Sequence, residues 1–271
     1  MNQAVSILPP TGQAADFHEN GAVVLRGVFA PWVETLRAGV ARLMADPSPL
    51  ERSYQPAGSA PFFQDLCNWQ RIPEFRDFVE HSPLGQVACE LLGAHEVRFF
   101  HDHVLVKEPG TSLVTPWHQD RPYYCARGPQ TVSFWIPLDP VPAASALECV
   151  AGSHRWGYDH RPMRFDGTPL YAVDDSPPMP DIDSARGDYP ILSWDMAPGD
   201  AVAFDFGTVH GAAATTGAVN RRRVFSARLV GDDAVFASRG GKGSPPFAHL
   251  ALKDGEPLAG PDFPVLYTAP A

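Results

Sequence analysis

The N-terminal third of the chain carries the hydrophobic spacing of α-helices. Four apolar residues follow one another at intervals of four, four and three residues: Trp32, Leu36, Val40 and Leu43. This spacing places them on one face of a helix that begins near Pro31. Similar spacing predicts helices at 73–80 and 83–93, and a short apolar strand is expected at 22–25. Region 16–46 therefore has the predicted order helix, strand, helix.

After Gly93 the hydrophobic pattern changes to short β-strands separated by turns that contain glycine or proline. The segments that predict strands are 97–106, 131–136, 146–150, 201–206 and 223–230. The 29 Pro and 23 Gly of the chain suit many short strands better than a bundle of helices. We therefore expect a mainly β fold, an antiparallel double sheet of jelly-roll type with the N-terminal helices packed outside it.

Two segments depart from this pattern within what is expected to be a single domain over residues 1–271. Residues 1–12 are predicted to be a flexible tail. Residues 157–190 form a long irregular insertion with several Asp-rich turns, and its length is typical of a lid over an active site.

Composition excludes several classes of protein. A net charge of -10 and a pI of about 5.4 argue against a nucleic-acid partner or an anionic membrane partner. Apolar runs stay short of the ~18 residues of a membrane span. The first residues lack the positive and apolar regions of a secretory signal, and the four cysteines form no CxxC pair. We expect a cytoplasmic protein with reduced cysteines.

The stretch Thr115-Pro116-Trp117-His118-Gln119-Asp120 carries the candidate chemistry. Because His118 and Asp120 stand two residues apart, a strand would place both side chains on one face. Two histidines and one carboxylate are the ligand set of non-haem Fe(II) oxygenases. His210 offers a third ligand, since it follows a predicted strand 92 residues after His118. A jelly roll brings such late strands against early ones, so the three residues are a candidate metal site.

Three successive arginines, Arg221, Arg222 and Arg223, lead into the last predicted strand. Alternation along a strand puts Arg221 and Arg223 on one side and Arg222 on the other. An arginine that points inward beside a metal is costly to bury without an anion. A dicarboxylate cosubstrate, held by the two-pronged guanidinium, would supply that anion.

Other histidines offer alternative assignments. His101 and His103 would share one face of a strand and form a rival ligand pair, although no matching partner follows them downstream. His154 lies in a Gly-Ser-His turn that we interpret as structural. Without a third ligand, His118 would be a strand-end histidine that is hydrogen-bonded to the carboxylate of Asp120.

Together, these ordered motifs resemble the phytanoyl-CoA dioxygenase family of Fe(II)/2-oxoglutarate-dependent oxygenases. The motifs that carry the resemblance are Lys107-Glu108-Pro109-Gly110, the stretch from Thr115 to Asp120, Ser133-Phe134-Trp135-Ile136-Pro137-Leu138-Asp139, Gly152-Ser153-His154-Arg155-Trp156-Gly157, Pro198-Gly199-Asp200, His210-Gly211 and the arginine run. With the N-terminal block from Gly21 to Gly27 and the Gly231-Asp232-Asp233 turn, the resemblance spans most of residues 15–235. The resemblance implies a double-stranded β-helix (jelly roll, cupin-like) with flanking N-terminal α-helices.

The resemblance also implies the cofactors. Iron(II) would be held by the two histidines and the aspartate named above, with 2-oxoglutarate and O2 as cosubstrates. An arginine eleven or twelve residues past the distal histidine would grip the far carboxylate of 2-oxoglutarate, which here falls on Arg221 or Arg222. We prefer Arg222, because similar oxygenases place this arginine nine residues before a Gly-Asp turn, here Gly231-Asp232.

Further site residues follow from the same resemblance. Those expected near 2-oxoglutarate are Lys107, Thr131, Ser133 and Trp135, and those expected towards the substrate are Gln119, Arg121, Tyr123 and Tyr124. Halogenating relatives replace the carboxylate ligand with a small residue, so the presence of Asp120 favours hydroxylation, with release of succinate and CO2. The acidic composition favours a small-molecule substrate other than an acyl-CoA.

Two alternatives stay open. One is a catalytically silent jelly-roll protein that binds a metal or ligand, and the other is a cupin-like metalloenzyme that does not use 2-oxoglutarate.

Overall fold

A computed structural model of the chain describes residues 12–164, 167–172, 174–215, 221–239 and 243–270. The predicted flexible tail, apart from Gly12, lies outside the described residues. The helices are α1 (Gln13–Asn20), α2 (Val33–Ala45), α3 (Pro73–His81) and α4 (Leu84–Leu92). The strands are β1 (Ala22–Leu25), β2 (Phe62–Leu66), β3 (Glu96–Lys107), β4 (Thr115–His118), β5 (Ala126–Arg127), β6 (Thr131–Pro137), β7 (Leu147–Val150), β8 (Ile191–Leu192), β9 (Ala201–Phe204), β10 (His210–Ala212), β11 (Arg222–Val230), β12 (Val235–Phe236) and β13 (Val265–Thr268).

Two antiparallel sheets form the body of the fold. The major sheet has seven strands in the order β1-β9-β6-β11-β3-β13, and β2 pairs with the other half of the long strand β3. The minor sheet has four strands in the order β4-β10-β7-β8. β5 and β12 make a separate two-stranded pair. This double sheet confirms the predicted mainly β, jelly-roll architecture.

The helices cover one face of the major sheet because alternate residues of its strands are apolar. On β11, the fully buried Phe225 packs against Phe75 and Phe78 of α3, with ring centroids 4.8 Å and 5.4 Å away. The other apolar residues of that face of β11 are Ala227 and Leu229. Residues at the intervening positions face the space between the two sheets, where polar side chains can meet a ligand.

A β-bulge at Phe100 changes the alternation of β3. Arg228 of β11 pairs with His101, whereas the next residue of β11, Leu229, pairs with Phe99, so Phe100 is an extra residue. Phe99 belongs to the core under the helices, but His101 and the alternate residues after it line the space between the sheets. The bulge therefore turns the polar half of β3 towards the interior.

Each segment predicted as a strand contains one, but β5, β8, β10 and β12 also form without having been predicted, and three further differences concern β2, β13 and β4. β2 lies next to a proline-rich segment and was predicted as loop at its start, and it forms because it pairs along β3. β13 was not predicted, and it adds to the other end of β3. β4 ends at His118, so Asp120 stands just beyond the strand rather than in it, with a helical backbone φ of -73°.

Two further expectations concern the cysteines and membrane-spanning helices. All four cysteines are free thiols, as predicted, and three of them are buried. Among the described residues, every helix falls short of the length and apolar character that crossing a bilayer requires.

Candidate metal centre

Three side chains, two from neighbouring strands and one from the turn after β4, meet at the edge of the interior space. His118, the last residue of β4, is the pairing partner of His210, the first residue of β10. Their imidazole centroids are 4.2 Å apart, and Asp120 lies beside both. The candidate ligand atoms of the three residues all lie within 4.8 Å of one another. Antiparallel pairing thus brings together residues that are far apart in the sequence.

Hydrogen bonds to the backbone orient both imidazoles. Nδ1 of His118 lies 2.8 Å from the carbonyl oxygen of Pro116, and Nδ1 of His210 lies 2.9 Å from that of Thr208. Because a carbonyl oxygen only accepts, each Nδ1 carries the proton and each Nε2 keeps a free lone pair. Both Nε2 atoms lie 3.9 Å from Oδ1 of Asp120, so the lone pairs converge on one point.

The carboxylate of Asp120 is held from its other side. The Ser133 hydroxyl donates a 2.9 Å hydrogen bond to Oδ2, and the Arg228 guanidinium lies 3.7 Å from the same oxygen. Burial opposes ionisation of Asp120, but Arg228 and the two imidazoles outweigh it, so the pKa of the carboxyl group is lowered. Burial lowers the pKa of His210 to about 3. An anionic carboxylate and a neutral imidazole are the forms that ligate a metal ion.

The ligand cluster opens into a cavity of about 570 Å³ between the two sheets. Away from the cluster, the cavity contains two buried cations, Arg222 at the start of β11 and Lys107 at the end of β3. These two residues are paired in the sheet, so their charges lie close together. The guanidinium of Arg222 contacts the carbonyl oxygen of Ser145 and lies 5.8 Å from the centre of the Trp135 ring.

No carboxylate of the described residues forms a salt bridge with either cation. The Lys107 ammonium donates to backbone carbonyl oxygens of Leu113 at 2.7 Å and Ala213 at 3.2 Å. Burial and the neighbouring Arg222 lower the pKa of Lys107 to about 6, and burial lowers the pKa of Arg222 to about 10. Two basic groups held this way provide a site for a carboxylate anion, which would in turn favour the protonated form of Lys107.

The neighbouring arginines are engaged elsewhere. Arg221 is exposed and pairs with Glu108 at 2.8 Å, while Arg223 pairs with Asp139 at 2.6 Å on the helix side. Of the run of three, Arg222 is the one that lines the cavity.

The sequence model of the family described as "Phytanoyl-CoA dioxygenase (PhyH)" matches residues 17–224, which is more than half of the chain. The chain belongs to this phytanoyl-CoA dioxygenase family. The matched range includes the three candidate ligands and Arg222. No curated protein matches the chain at a significant level.

Solved structures share the fold of this family member. The carbocyclase SnoK from nogalamycin biosynthesis is 24% identical, with a TM-score of 0.74 over 96% of this chain and 97% of its own. The epimerase SnoN from the same biosynthesis is 22% identical, with a TM-score of 0.73 over 95% and 96%. EctD from S. alaskensis, in a structure with 2-oxoglutarate and 5-hydroxyectoine, is 20% identical, with a TM-score of 0.68 over 96% and 88%.

Two residues that the family resemblance placed near the cosubstrate lie behind the cavity wall. The Thr131 hydroxyl donates to the buried Asp205 at 3.0 Å. Ser133 donates to Asp120, so it can position a ligand rather than bind 2-oxoglutarate. Trp135 and Lys107, by contrast, line the cavity.

The four residues predicted to face the substrate divide in the same way. The Gln119 side chain donates to the carbonyl oxygen of Gly207 at 2.8 Å, and Arg121 pairs with Asp159 at 2.6 Å, so both serve the loop structure. Tyr123 and Tyr124 line the cavity.

Sequence reasoning missed Arg228, which lies six residues after Arg222 on the same face of β11. Strand alternation from Arg222 was the signal that would have found it. His101 and His103 line the same cavity, but they lie outside the one cluster of three potential ligands that the described residues form. His154 contacts the carbonyl oxygen of His18 at 3.1 Å, in keeping with a structural turn.

Proposed function

We propose that the protein is an Fe(II)- and 2-oxoglutarate-dependent dioxygenase that hydroxylates a small metabolite. The observation that carries this proposal is the common cavity of the His118, Asp120 and His210 cluster and the Arg222 and Lys107 pair. A metal site alone would fit many enzymes. A metal site together with two buried basic groups that have no carboxylate partner among the described residues fits a metal-binding diacid.

The donor set suits iron(II). Two neutral imidazole nitrogens and one carboxylate oxygen form the facial triad that leaves open positions on non-haem iron. When bound with 2-oxoglutarate and O2, iron couples the decarboxylation of 2-oxoglutarate to succinate and CO2 with a two-electron oxidation of the substrate.

The protein's own residues orient the reactants. Arg222 and Lys107 would bind the far carboxylate of 2-oxoglutarate, and this fixes the diacid with its keto end towards the metal cluster. Ser133 and Arg228 hold Asp120 as an anion in one orientation. Trp135 forms an apolar wall beside the cosubstrate. These contacts are preorganised, which lowers the cost of assembling the reactants.

Structures of fold relatives are consistent with this assignment. SnoN has been solved with Fe3+ and alpha ketoglutarate, and EvdO2 from Micromonospora carbonacea with 2-oxoglutarate. Relatives described as a carbocyclase and an epimerase widen the range of possible oxidations. We favour hydroxylation because Asp120 occupies the third ligand position, leaving no small residue there to admit a halide.

The insertion at 157–190 is proposed to act as the lid over the substrate. Its residues Met163, Arg164, Leu170 and Met179 line the cavity opposite the major sheet. The Tyr123 hydroxyl joins this segment to the metal-ligand loop, since it donates to the Met163 carbonyl oxygen and accepts from the Met163 amide, both at 2.8 Å.

Anaerobic titration with Fe(II) and then 2-oxoglutarate tests the proposal. We expect a weak visible charge-transfer band in the wild-type protein, its loss in His210→Ala, and its retention in a variant of an exposed histidine, His81→Ala. Folded protein that binds Fe(II) but gives no band would contradict the proposal and favour a cupin-like metalloenzyme. A band without succinate formation under O2 would favour the silent binding protein.

A further inference from the structure

Besides Nε of Arg161 in the insertion, three buried side-chain nitrogens of residues that line the cavity have no hydrogen-bond partner among the described residues. They are Nε2 of Gln64 on β2, Nε2 of His101 on β3 and Nε2 of His103 on β3. All three residues line the cavity, and β2 pairs directly with β3. We call Gln64, His101 and His103 the polar wall. A buried polar group without a partner is costly and rare, so this cluster calls for a ligand that completes it.

The polar wall lies beside the candidate metal centre. The His101 ring is 4.9 Å from the ring of Tyr124, whose hydroxyl accepts a 2.9 Å hydrogen bond from Nε of Arg228. Arg228 in turn is 3.7 Å from the Asp120 carboxylate. A substrate that contacts His101 therefore lies within reach of the metal-binding residues.

The polar wall is separate from the proposed 2-oxoglutarate site. Lys107 follows His103 by four residues and His101 by six along the same strand. At roughly 3.3 Å per residue, these positions are about 13 Å and 20 Å apart. The far carboxylate of a diacid that is held by Lys107 and Arg222 is therefore distant from His101. The polar wall thus remains available to a second molecule.

The polar wall offers hydrogen bonds without charge. Nδ1 of His101 lies 3.2 Å from the Asp102 carbonyl oxygen, so Nδ1 carries the proton and Nε2 accepts. The Gln64 amide nitrogen donates. Burial, reinforced by Arg228, lowers the pKa of His101 to about 3 and places that of His103 well below its usual value. Both rings are therefore neutral, and the wall matches groups that donate and accept.

We propose that the polar wall recognises hydroxyl or carbonyl groups of the substrate, which makes the reacting part of the substrate an uncharged oxygenated compound and not a hydrocarbon chain. This inference rests on the proposed function only in placing the substrate in the metal cavity. A hydroxyl group can donate to His101 Nε2 and accept from Gln64. A hydrocarbon chain would leave all three nitrogens unpaired, and sites built to bind a hydroxyl group reject analogues that lack it by up to about 10⁴-fold.

A series of ring compounds of equal size provides the test. The probes are cyclohexanol, cyclohexane-1,3-diol and cyclohexane-1,3,5-triol, and their binding to the metal-free protein is measured by saturation-transfer NMR. We expect affinity to rise about tenfold from the mono-ol to the triol, because each satisfied buried group adds a hydrogen bond. Methylcyclohexane, which has neither a charge nor a hydroxyl group, serves as the hydrocarbon probe and is expected to bind more weakly than the triol.

Variants assign the binding to the polar wall. Gln64→Met and His103→Leu keep the side-chain volume while removing the nitrogen, and each should weaken triol binding about tenfold. His103→Asn restores a polar group and should recover part of the affinity. His95→Leu, at an exposed histidine just before β3, is the matched control and should bind as the wild type does.

Two results would overturn the proposal: binding that does not depend on the number of hydroxyl groups, or triol binding that survives both apolar variants. Tight binding of methylcyclohexane would also count against it. Separate Fe(II) and 2-oxoglutarate titration keeps the two conclusions distinct. If the wild-type protein gives no charge-transfer band but still binds the probes according to their hydroxyl groups, the proposed function is refuted. The polar wall would then remain a recognition site.

Discussion

Replacement of Arg222 with glutamine should separate the binding of 2-oxoglutarate from the stability of the protein. Arg222 is buried, lines the cavity and has no carboxylate partner among the described residues. Its guanidinium is therefore expected to gain a partner only when the diacid binds. Arg222→Gln removes the charge while it preserves a group that can donate to the Ser145 carbonyl oxygen.

The magnitude follows from the burial of the charge. Loss of one partner of a buried, hydrogen-bonded charge pair costs about 2–5 kcal/mol, so the Kd for 2-oxoglutarate should rise about 30- to 4,000-fold. For the stability of the protein without 2-oxoglutarate, removal of the Arg222 charge is expected to be favourable. The pKa of Arg222 is lowered from 12.5 to about 10 by burial, which corresponds to roughly 3 kcal/mol against the charged form. The free variant should therefore be as stable as the wild type or more stable.

Anaerobic titration of Fe(II)-loaded protein with 2-oxoglutarate measures the affinity, and urea denaturation of the free protein measures stability. Arg221→Gln is the matched control, because Arg221 is the adjacent residue but pairs with Glu108 at the surface. Surface pairs contribute about 0–1 kcal/mol, so this variant should change the affinity less than about fivefold. If Arg222→Gln binds 2-oxoglutarate within threefold of the wild type, the assignment of Arg222 is wrong.

Three further predictions concern other parts of the structure. Since Lys107 has a pKa of about 6 in the free protein, it is largely neutral at pH 8, so binding of 2-oxoglutarate should take up close to one proton, and affinity should fall as the pH rises above about 6. Calorimetry in buffers of different ionisation enthalpy measures this uptake. Ser133→Ala removes the hydrogen bond to Asp120, so Fe(II) affinity in a metal titration should fall about 10- to 100-fold. Phe225→Ala opens a cavity between β11 and α3, so urea denaturation should show a loss of about 3–5 kcal/mol.

Each of these has an outcome that would contradict it. Zero proton uptake at pH 8 would mean that Lys107 does not meet the diacid, and Lys107→Met provides the reference value of no uptake. Ser184→Ala, at an exposed serine, controls for Ser133→Ala, and equal iron affinities would show that the Ser133 contact is dispensable. Val114→Ala, at a valine that is 51% exposed, should cost little, so a similar loss in both hydrophobic variants would refute the packing argument.

The candidate ligands are the part of the site that the sequence predicts best. The spacing of His118 and Asp120 is local, and the ordered motifs around them single out His210 as the third ligand. The prediction that one strand holds both residues is wrong for Asp120, because β4 ends at His118 and Asp120 reaches the cluster from a turn. The turn is followed by Pro122, and the carboxylate is then fixed by Ser133 of a different strand.

Contacts between side chains of different strands are harder to predict from the sequence. Thr131 and Ser133 sit on a strand of the right kind, but the partners that draw their hydroxyl groups away from the cavity, Asp205 and Asp120, lie on other segments. Alternation along β11 predicts the face on which Arg228 lies, but its place beside Asp120 depends on the pairing of β11 with β3 and β6. Such pairings are decided by the sheet register, which a single sequence does not display.

The sequence by itself determined the periodicities of helix and strand, the order of the motifs and the chemistry of the ligand residues, because these depend on neighbours along the chain. The tertiary structure decided which arginine of the run faces the interior and which hydroxyl groups support a ligand. It also decided, through one extra residue at Phe100, that His101 and His103 face the cavity and not the helices. A bulge reverses the faces of every later residue in its strand, and only the pairing partner shows where it falls.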